Sequence, residues 1–224
     1  MGGRAAWLLA AILLVGLALR VWGLAFGLPN ISCRPDESTL VHRALAIGAG
    51  DPNPHFFNYP SLHFYLLAAV YGAYYIAGFM GGVFENTAIF EAQFLKDPSV
   101  FYLIGRGLGA LMGIASVGVL YSIGTRLGGV LVGLASALFL SCCFLHVRDS
   151  HFLTVDIPAT FYLLVSILFS LRYMEGRAVR NLIVGAIFLG LSASTKYNLG
   201  LFAGVVLIVA YQKSDSLRAN GGRL

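Results

Sequence analysis

Charge is the scarce commodity in this chain. Of 224 residues only 11% are Asp, Glu, Lys or Arg, against 58% hydrophobic, and mean hydropathy is +0.80. Soluble domains carry about 25% charged residues, so a soluble domain with a greasy core is excluded. Cysteine is also rare: Cys33, Cys142 and Cys143 are the only three, and the last two sit in an apolar stretch as small core residues. No disulfide framework or zinc finger can be built from that set. The chain lacks a basic stripe interleaved with stacking aromatics, which excludes a nucleic-acid partner. Its net charge of +5 points instead to cytoplasmic loops and anionic lipid. The apolar run behind Arg4 is too long for a signal-peptide core and lacks a small-residue cleavage site, so it reads as an uncleaved first span.

What the chain has in abundance is long apolar segments, at about 5–28, 61–83, 100–125, 127–145, 157–174, 181–195 and 198–212, with 27 glycines suited to close helix packing. The sequence therefore predicts an all-α membrane protein, a polytopic bundle of about six to seven transmembrane helices. A module over 1–212 contains a first external loop, 29–60, with interfacial helices, and is followed by a polar, disordered tail over 213–224. Lys196-Tyr197-Asn198 interrupts the apolar stretch 181–212 and reads as the turn of a hairpin.

The positive-inside rule places Arg4, Arg126, the Arg172/Arg177/Arg180 loop and Lys213/Arg218/Arg223 in the cytoplasm. Asp36, the 146–156 loop and Lys196 then lie outside. That holds only if 61–83 does not cross the membrane, and the acidic segment 81–99 (Glu85, Glu91 and Asp97 against Lys96) also suits the outside. The segment 61–83 is therefore expected to be a tilted, re-entrant or in-plane helix.

The outer face collects the residues able to do chemistry. Asp36-Glu37 follows the first span and precedes a short amphipathic helix, Ser38 to Ala49. His55 to His63 forms a second group, His146 to Pro158 a third, and Lys196 with Tyr197 a fourth. Carboxylates can take a proton from a hydroxyl or bind a divalent cation, and Lys or Arg at membrane depth can hold phosphate. Together they suit transfer from a membrane-anchored phosphate donor to a hydroxyl acceptor. Blander readings stand beside this one. Asp36-Glu37 could be a solvated turn, Asp149 and His151 could solvate a loop, His146 could be an interfacial aromatic, and Arg20 and Arg106 could snorkel to headgroups. Lys196 and Asp156 resist such readings, because an unpaired charge among apolar helices is costly.

Five motifs in order carry a resemblance. They are Pro35-Asp36-Glu37, Asn58-Tyr59-Pro60-Ser61-Leu62, Arg106 opening a span, Thr154-Val155-Asp156-Ile157-Pro158, and Thr195-Lys196-Tyr197. The pattern resembles the GT-C superfamily of polyprenyl-phosphate-sugar-dependent glycosyltransferases, in its protein O-mannosyltransferase and aminoarabinose transferase group. The resemblance implies an inverting membrane glycosyltransferase. It makes Asp36 the catalytic carboxylate, Glu37 its neighbour and Asp156 the second acid, with Arg106, Lys196 and Tyr197 on the phosphate side of the donor site. Asp149, His151 and His55 are expected acceptor or metal contacts from this sequence alone, and a divalent metal ion is the one cofactor left open. The family often has a Lys and a second Pro where Tyr59 and Ser61 stand, which leaves that position without a phosphate role. The implied partners are a polyprenyl-phosphate sugar, a lipid, glycan or protein acceptor, and membrane lipids. The implied site is on the non-cytoplasmic face of a cell inner membrane or an ER membrane. Relatives usually have further spans, so the chain is expected to be a truncated module. A transporter or lipid-handling protein, or an inactive fragment, is the alternative; the lack of an internal repeat argues against transport.

Overall fold

The computed structural model describes residues 3–176, 178–204 and 208. Among them there is no strand. Eight α-helices follow in order: α1 Gly3–Val21, α2 Pro35–Gly48, α3 Leu62–Met80, α4 Thr87–Lys96, α5 Ser99–Cys142, α6 Phe144–Ser150, α7 Asp156–Gly176 and α8 Val179–Ala193. Four of these (α1, α3, α5 and α7) are long and apolar enough to cross a membrane, and α8 is a shorter apolar helix.

The 44 residues of α5 are two helices joined by a break at Gly128 and Gly129, where Gly129 takes φ 81°. That left-handed conformation is open to glycine at no steric cost. The chain reverses there, next to Arg126, where two separate apolar segments are expected to meet. The arms 99–127 and 130–142 close on each other glycine to glycine. A Cβ on Gly124 would lie 2.9 Å from the Cα of Gly133, and one on Gly133 would lie 2.8 Å from the carbonyl oxygen of Tyr121. Gly133→Leu should therefore pry the arms apart and cost about 1–3 kcal/mol, the usual range for overpacking. A lower midpoint of thermal unfolding in detergent checks this; an unchanged midpoint would show that the arms tolerate separation.

Helix α1 lies against both arms. Ser141 Oγ donates to the carbonyl of Ile12 at 3.1 Å, and Leu9, Ile12 and Leu13 cover the buried Val117, Tyr121 and Ala137. Helices α7 and α8 pack through small residues, with Ser166 Oγ donating to Gly185 O and Ser192 Oγ to Ala159 O, both at 2.8 Å. Such hydrogen bonds and close backbones hold helices together where lipid supplies no hydrophobic drive.

Ion pairs mark two levels of the bundle. Arg126 pairs with Glu175, joining one end of α5's first arm to the end of α7. At the other end Arg106 pairs with Glu37, and Asp156, first residue of α7, pairs with Lys196. Twenty residues of helix separate Arg106 from Arg126, a rise of about 30 Å, which equals the hydrocarbon thickness of a bilayer.

A second layer caps the Arg106 end. Its core is Leu40, Val41 and Ala44 of α2, Phe64, Leu67 and Tyr71 of α3, Phe101 and Tyr102 of α5, and Leu153 and Val155. Helix α3 finds its partners within this layer. Its first amide, Leu62 N, donates to Ser194 O at 3.1 Å, and Tyr71 Oη donates to Phe101 O at 3.0 Å. Tyr74 bonds Gln93 of α4 and joins a cluster of Phe84, Phe90 and Phe101 rings.

After α8 the chain turns at Lys196 into a 3-10 helix, Tyr197–Phe202, where the second limb of the hairpin was expected to be apolar helix. Most of the remaining expected span to 212, the tail 213–224 and Arg177 lie outside the described residues.

Candidate active site

The site is built from the head of α2. Pro35 stands in the first turn, where its fixed φ suits helix initiation, and Asp36 and Glu37 follow where the helix dipole favours negative charge. Each step along a helix turns the side chain by about 100°. Glu37 therefore heads the buried stripe Glu37-Leu40-Val41-Ala44, while Asp36 faces solvent. Adjacent carboxylates are thus given opposite environments by helix phase.

Glu37 is 2% exposed and Arg106 is 1% exposed. Arg106 grips the carboxylate with two bonds, Nε to Oε1 at 3.0 Å and Nη2 to Oε2 at 2.7 Å, while the Leu153 amide donates to Oε1 at 2.7 Å. Its Nη1 donates to the carbonyls of Leu24 at 2.7 Å and Phe26 at 2.8 Å. The pair therefore ties the exit of α1, the head of α2, α5 and the 151–156 strap into one knot. A buried pair of this kind is tolerated because nearly every donor and lone pair is used. Arg106 does not snorkel. A phosphate, the partner expected for it from sequence, would have to displace Glu37 and two carbonyls.

Around this knot the expected clusters meet through named contacts. The Arg34 guanidinium lies 3.5 Å from the centroid of the Phe152 ring, a cation–π contact that lays the Asp36 loop on the strap. Four residues further, Asp156 pairs with Lys196. Both side chains remain well over a third exposed or close to it (46% and 35%), so the pair contributes at most about 1 kcal/mol to stability. What it does is hold the ammonium at the mouth of the site. Tyr197 Oη donates to Phe57 O at 3.2 Å, which with the Leu62–Ser194 bond joins the second cluster to the Lys196 turn.

The outlying candidates have local partners. His151 Nε2 donates to Leu19 O at 2.8 Å, and Asp149 accepts from Arg148 Nε at 2.8 Å. His55, at φ 49°, meets Asp51 Oδ2 at 3.1 Å in an exposed turn. Among the described residues no three metal-ligating side chains gather into a group. Of Asp36, Glu37, Asp149 and Asp156, Asp36 alone has neither ion-pair nor hydrogen-bond partner among the described residues.

Arg20 overturns its expected role. It does not snorkel: it is fully buried, donating to the carbonyls of Gly16 at 2.9 Å, Leu140 at 3.2 Å and Ser141 at 3.2 Å. It also donates to His146 Nδ1 at 2.9 Å. A guanidinium can only donate, so Nδ1 accepts and the proton of the neutral ring sits on Nε2. His146 is thus a buried acceptor that anchors α6 to α1, and not an interfacial aromatic. The signal for both was present in the sequence: an Arg within an apolar run demands a partner.

Burial, reinforced by the Arg20 charge, pushes the His146 pKa down to about 4 from 6.5. The folded state thus disfavours the proton that the unfolded chain accepts near pH 6.5. The stability His146 contributes is whole above pH 6.5 and is lost as pH falls toward 4, up to about 3 kcal/mol. Unfolding midpoints from pH 7.5 to 4.5 should fall more for the wild type than for His146→Gln. Parallel curves would unlink His146 from the loss.

A family model described as dolichyl-phosphate-mannose-protein mannosyltransferase matches residues 103–220. The match spans Arg106, the strap, Asp156 and Lys196, and begins after Asp36. No curated protein and no solved structure matches the chain. The matched segment exceeds half of the chain. Together with the apolar helices and the polar site at their ends, it establishes that the chain belongs to the dolichyl-phosphate-mannose-protein mannosyltransferase family, membrane glycosyltransferases of the GT-C type.

Proposed function

We propose that this protein moves a sugar from a polyprenyl-phosphate donor to an acceptor hydroxyl with inversion, and that Asp36 is the base. The observation that carries this reading is the contrast between Asp36 and Glu37: one carboxylate is locked by Arg106, the other is exposed and unpartnered beside it. A group that must accept a proton has to be free, and a rigid neighbour keeps it in place.

The acceptor oxygen gives its proton to Asp36 and forms a bond to the anomeric carbon. The bond from that carbon to the phosphate oxygen breaks, and its electron pair leaves with the polyprenyl phosphate. A phosphate leaving group needs charge stabilisation more than it needs a proton. Lys196 is the cation that supports this role best, since its ammonium is partly exposed and held by Asp156. Glu37 and Arg106 position the head of α2, and Tyr197 steadies the Lys196 turn. A divalent ion, where one is used, would supply charge at the phosphate and leave Asp36 free to take the proton.

The site belongs on the non-cytoplasmic face, with Arg126 and Glu175 at the opposite level. The contacts of α3 with α2, α4 and the first turns of α5 support an in-plane or tilted course for it.

The test is transfer of labelled sugar by protein reconstituted in phosphatidylcholine vesicles. Mannosyl, glucosyl and aminoarabinosyl polyprenyl phosphates and a nucleotide sugar are each offered as donor, and the anomeric configuration of the product is read by NMR. Transfer from one lipid donor with inverted configuration is expected. Retention, or transfer from the nucleotide sugar alone, would overturn the mechanism.

A further inference from the structure

A groove of about 530 Å³ runs along the exposed side of α2, lined by Ser38, Thr39, His42, Arg43, Ala46 and Phe56. Arg43 is the odd cation of the outer layer. Every other buried or half-buried Lys or Arg side chain described there has a partner. Arg20 has three carbonyls and His146; Arg34 has the Phe152 ring; Arg106 has Glu37; Lys196 has Asp156. Arg43 is half-buried, yet among the described residues it has no carboxylate, carbonyl or ring partner. A guanidinium held partly out of water with nothing to pair it is an oxyanion site in waiting, since its planar fork matches phosphate and carboxylate.

Position adds a second constraint. Asp36, Thr39 and Arg43 recur at helical spacing and share one face of α2. Seven residues separate Asp36 from Arg43, a rise of about 10 Å. Asp36 is not part of the lining, but helix phase puts it on the same face as Thr39 and Arg43, which are. Neither Lys196 nor Tyr197 lines the groove, although the 55–58 segment joins the two places: Phe56 lines the groove and the carbonyl of Phe57 receives Tyr197 Oη.

We propose that this groove binds, through Arg43, an oxyanion carried by the acceptor, which makes the acceptor an anionic hydroxyl compound. The placement of its hydroxyl rests on Asp36 being the base; the oxyanion site itself does not. Thr39 and Ser38 also line the groove; Ser38 Oγ donates to Pro35 O at 2.6 Å, and His42 commits Nδ1 to Ser38 O at 2.6 Å. Phe56 supplies an apolar wall on which a sugar face or a short chain can rest.

The experiment needs no turnover. Wild-type protein in phosphatidylcholine nanodiscs is treated with phenylglyoxal, and modification of each arginine is followed by peptide mass spectrometry. Three probes are added in turn: inorganic phosphate, glucose 6-phosphate, and undecaprenyl phosphate incorporated in the nanodisc. Ionic strength is matched with chloride throughout, because bulk screening alone slows reactions at charged groups. Millimolar phosphate and glucose 6-phosphate are expected to slow modification of Arg43 about fivefold relative to the exposed Arg4, by mass action at a single site. Equal rates in phosphate and chloride would overturn the site. Protection by undecaprenyl phosphate but not by the soluble sugar phosphate would place the donor's phosphate there and overturn the acceptor assignment. Loss of transfer chemistry at Asp36 would leave these rates untouched, so the two readings fail separately.

Discussion

Asp36→Asn is expected to lower sugar transfer by about 10²–10⁴-fold, the share a well-placed general base supplies. Asn keeps the size and shape of the side chain and removes only its ability to take a proton. Because Asp36 is exposed and unpartnered, the fold should barely register the change. The lost charge in the first turn of α2 costs within about 1 kcal/mol through the helix dipole. The deficit should fall on kcat, with KM for the lipid donor close to the wild-type value, because the carboxylate acts on the acceptor in the transition state. Asp36→Glu, which keeps the base on a longer arm, should recover part of the rate. Initial rates at equal folded protein check this, and wild-type turnover by Asp36→Asn would remove Asp36 from the mechanism.

The adjacent residue should behave in the opposite way. Glu37→Gln leaves Arg106 charged, buried and without its counter-ion, and breaking a buried pair from one side costs about 3–5 kcal/mol. For a chain of this size that is about 10 °C or more in the unfolding midpoint. Arg106→Met should lose a similar amount, because Glu37 would then hold a buried charge against a single amide, that of Leu153. The double replacement Glu37→Leu with Arg106→Met should be more stable than either single variant, since no charge is left stranded. It should still transfer sugar poorly, because the carbonyls of Leu24 and Phe26 and the strap at Leu153 lose their common anchor. Midpoints measured in detergent for these proteins, with Glu37→Leu alone added to close the cycle, give the coupling. A Glu37→Gln protein that melts with the wild type would show that the pair does not clamp the layer.

These two neighbours also show how far the sequence can be read. Its low charge and long apolar runs determined an all-α membrane protein, because a continuous run of about 20 apolar residues crosses a bilayer as a helix that satisfies its own backbone groups. The amphipathic pattern after the first span determined a short helix there, expected from Ser38 to Ala49; α2 runs from Pro35 to Gly48 and takes both acids into its first turn. Lys196 within an apolar stretch determined a turn there. All of these are local effects, decided within a few residues or by the solvent. The five ordered motifs also pointed to the family that the match over 103–220 establishes.

The tertiary structure decided which charges spend themselves on one another. Arg106 meets Glu37 across 69 positions, and Arg20 meets His146 across 126. From the sequence Glu37 and Arg106 are expected in the site, Arg20 at the headgroups and His146 at the interface, since their partners lie far away along the chain. Whether a cation is free for a ligand depends on the nearest opposite charge or carbonyl in space, and that is set by how helices cross and by which side chain the helix phase turns inward. Hence Arg106, expected at the donor phosphate, is paired away, Arg43 stands unpaired over a groove, and Asp36 and Glu37, one bond apart in the chain, end as an open carboxylate and a buried clamp.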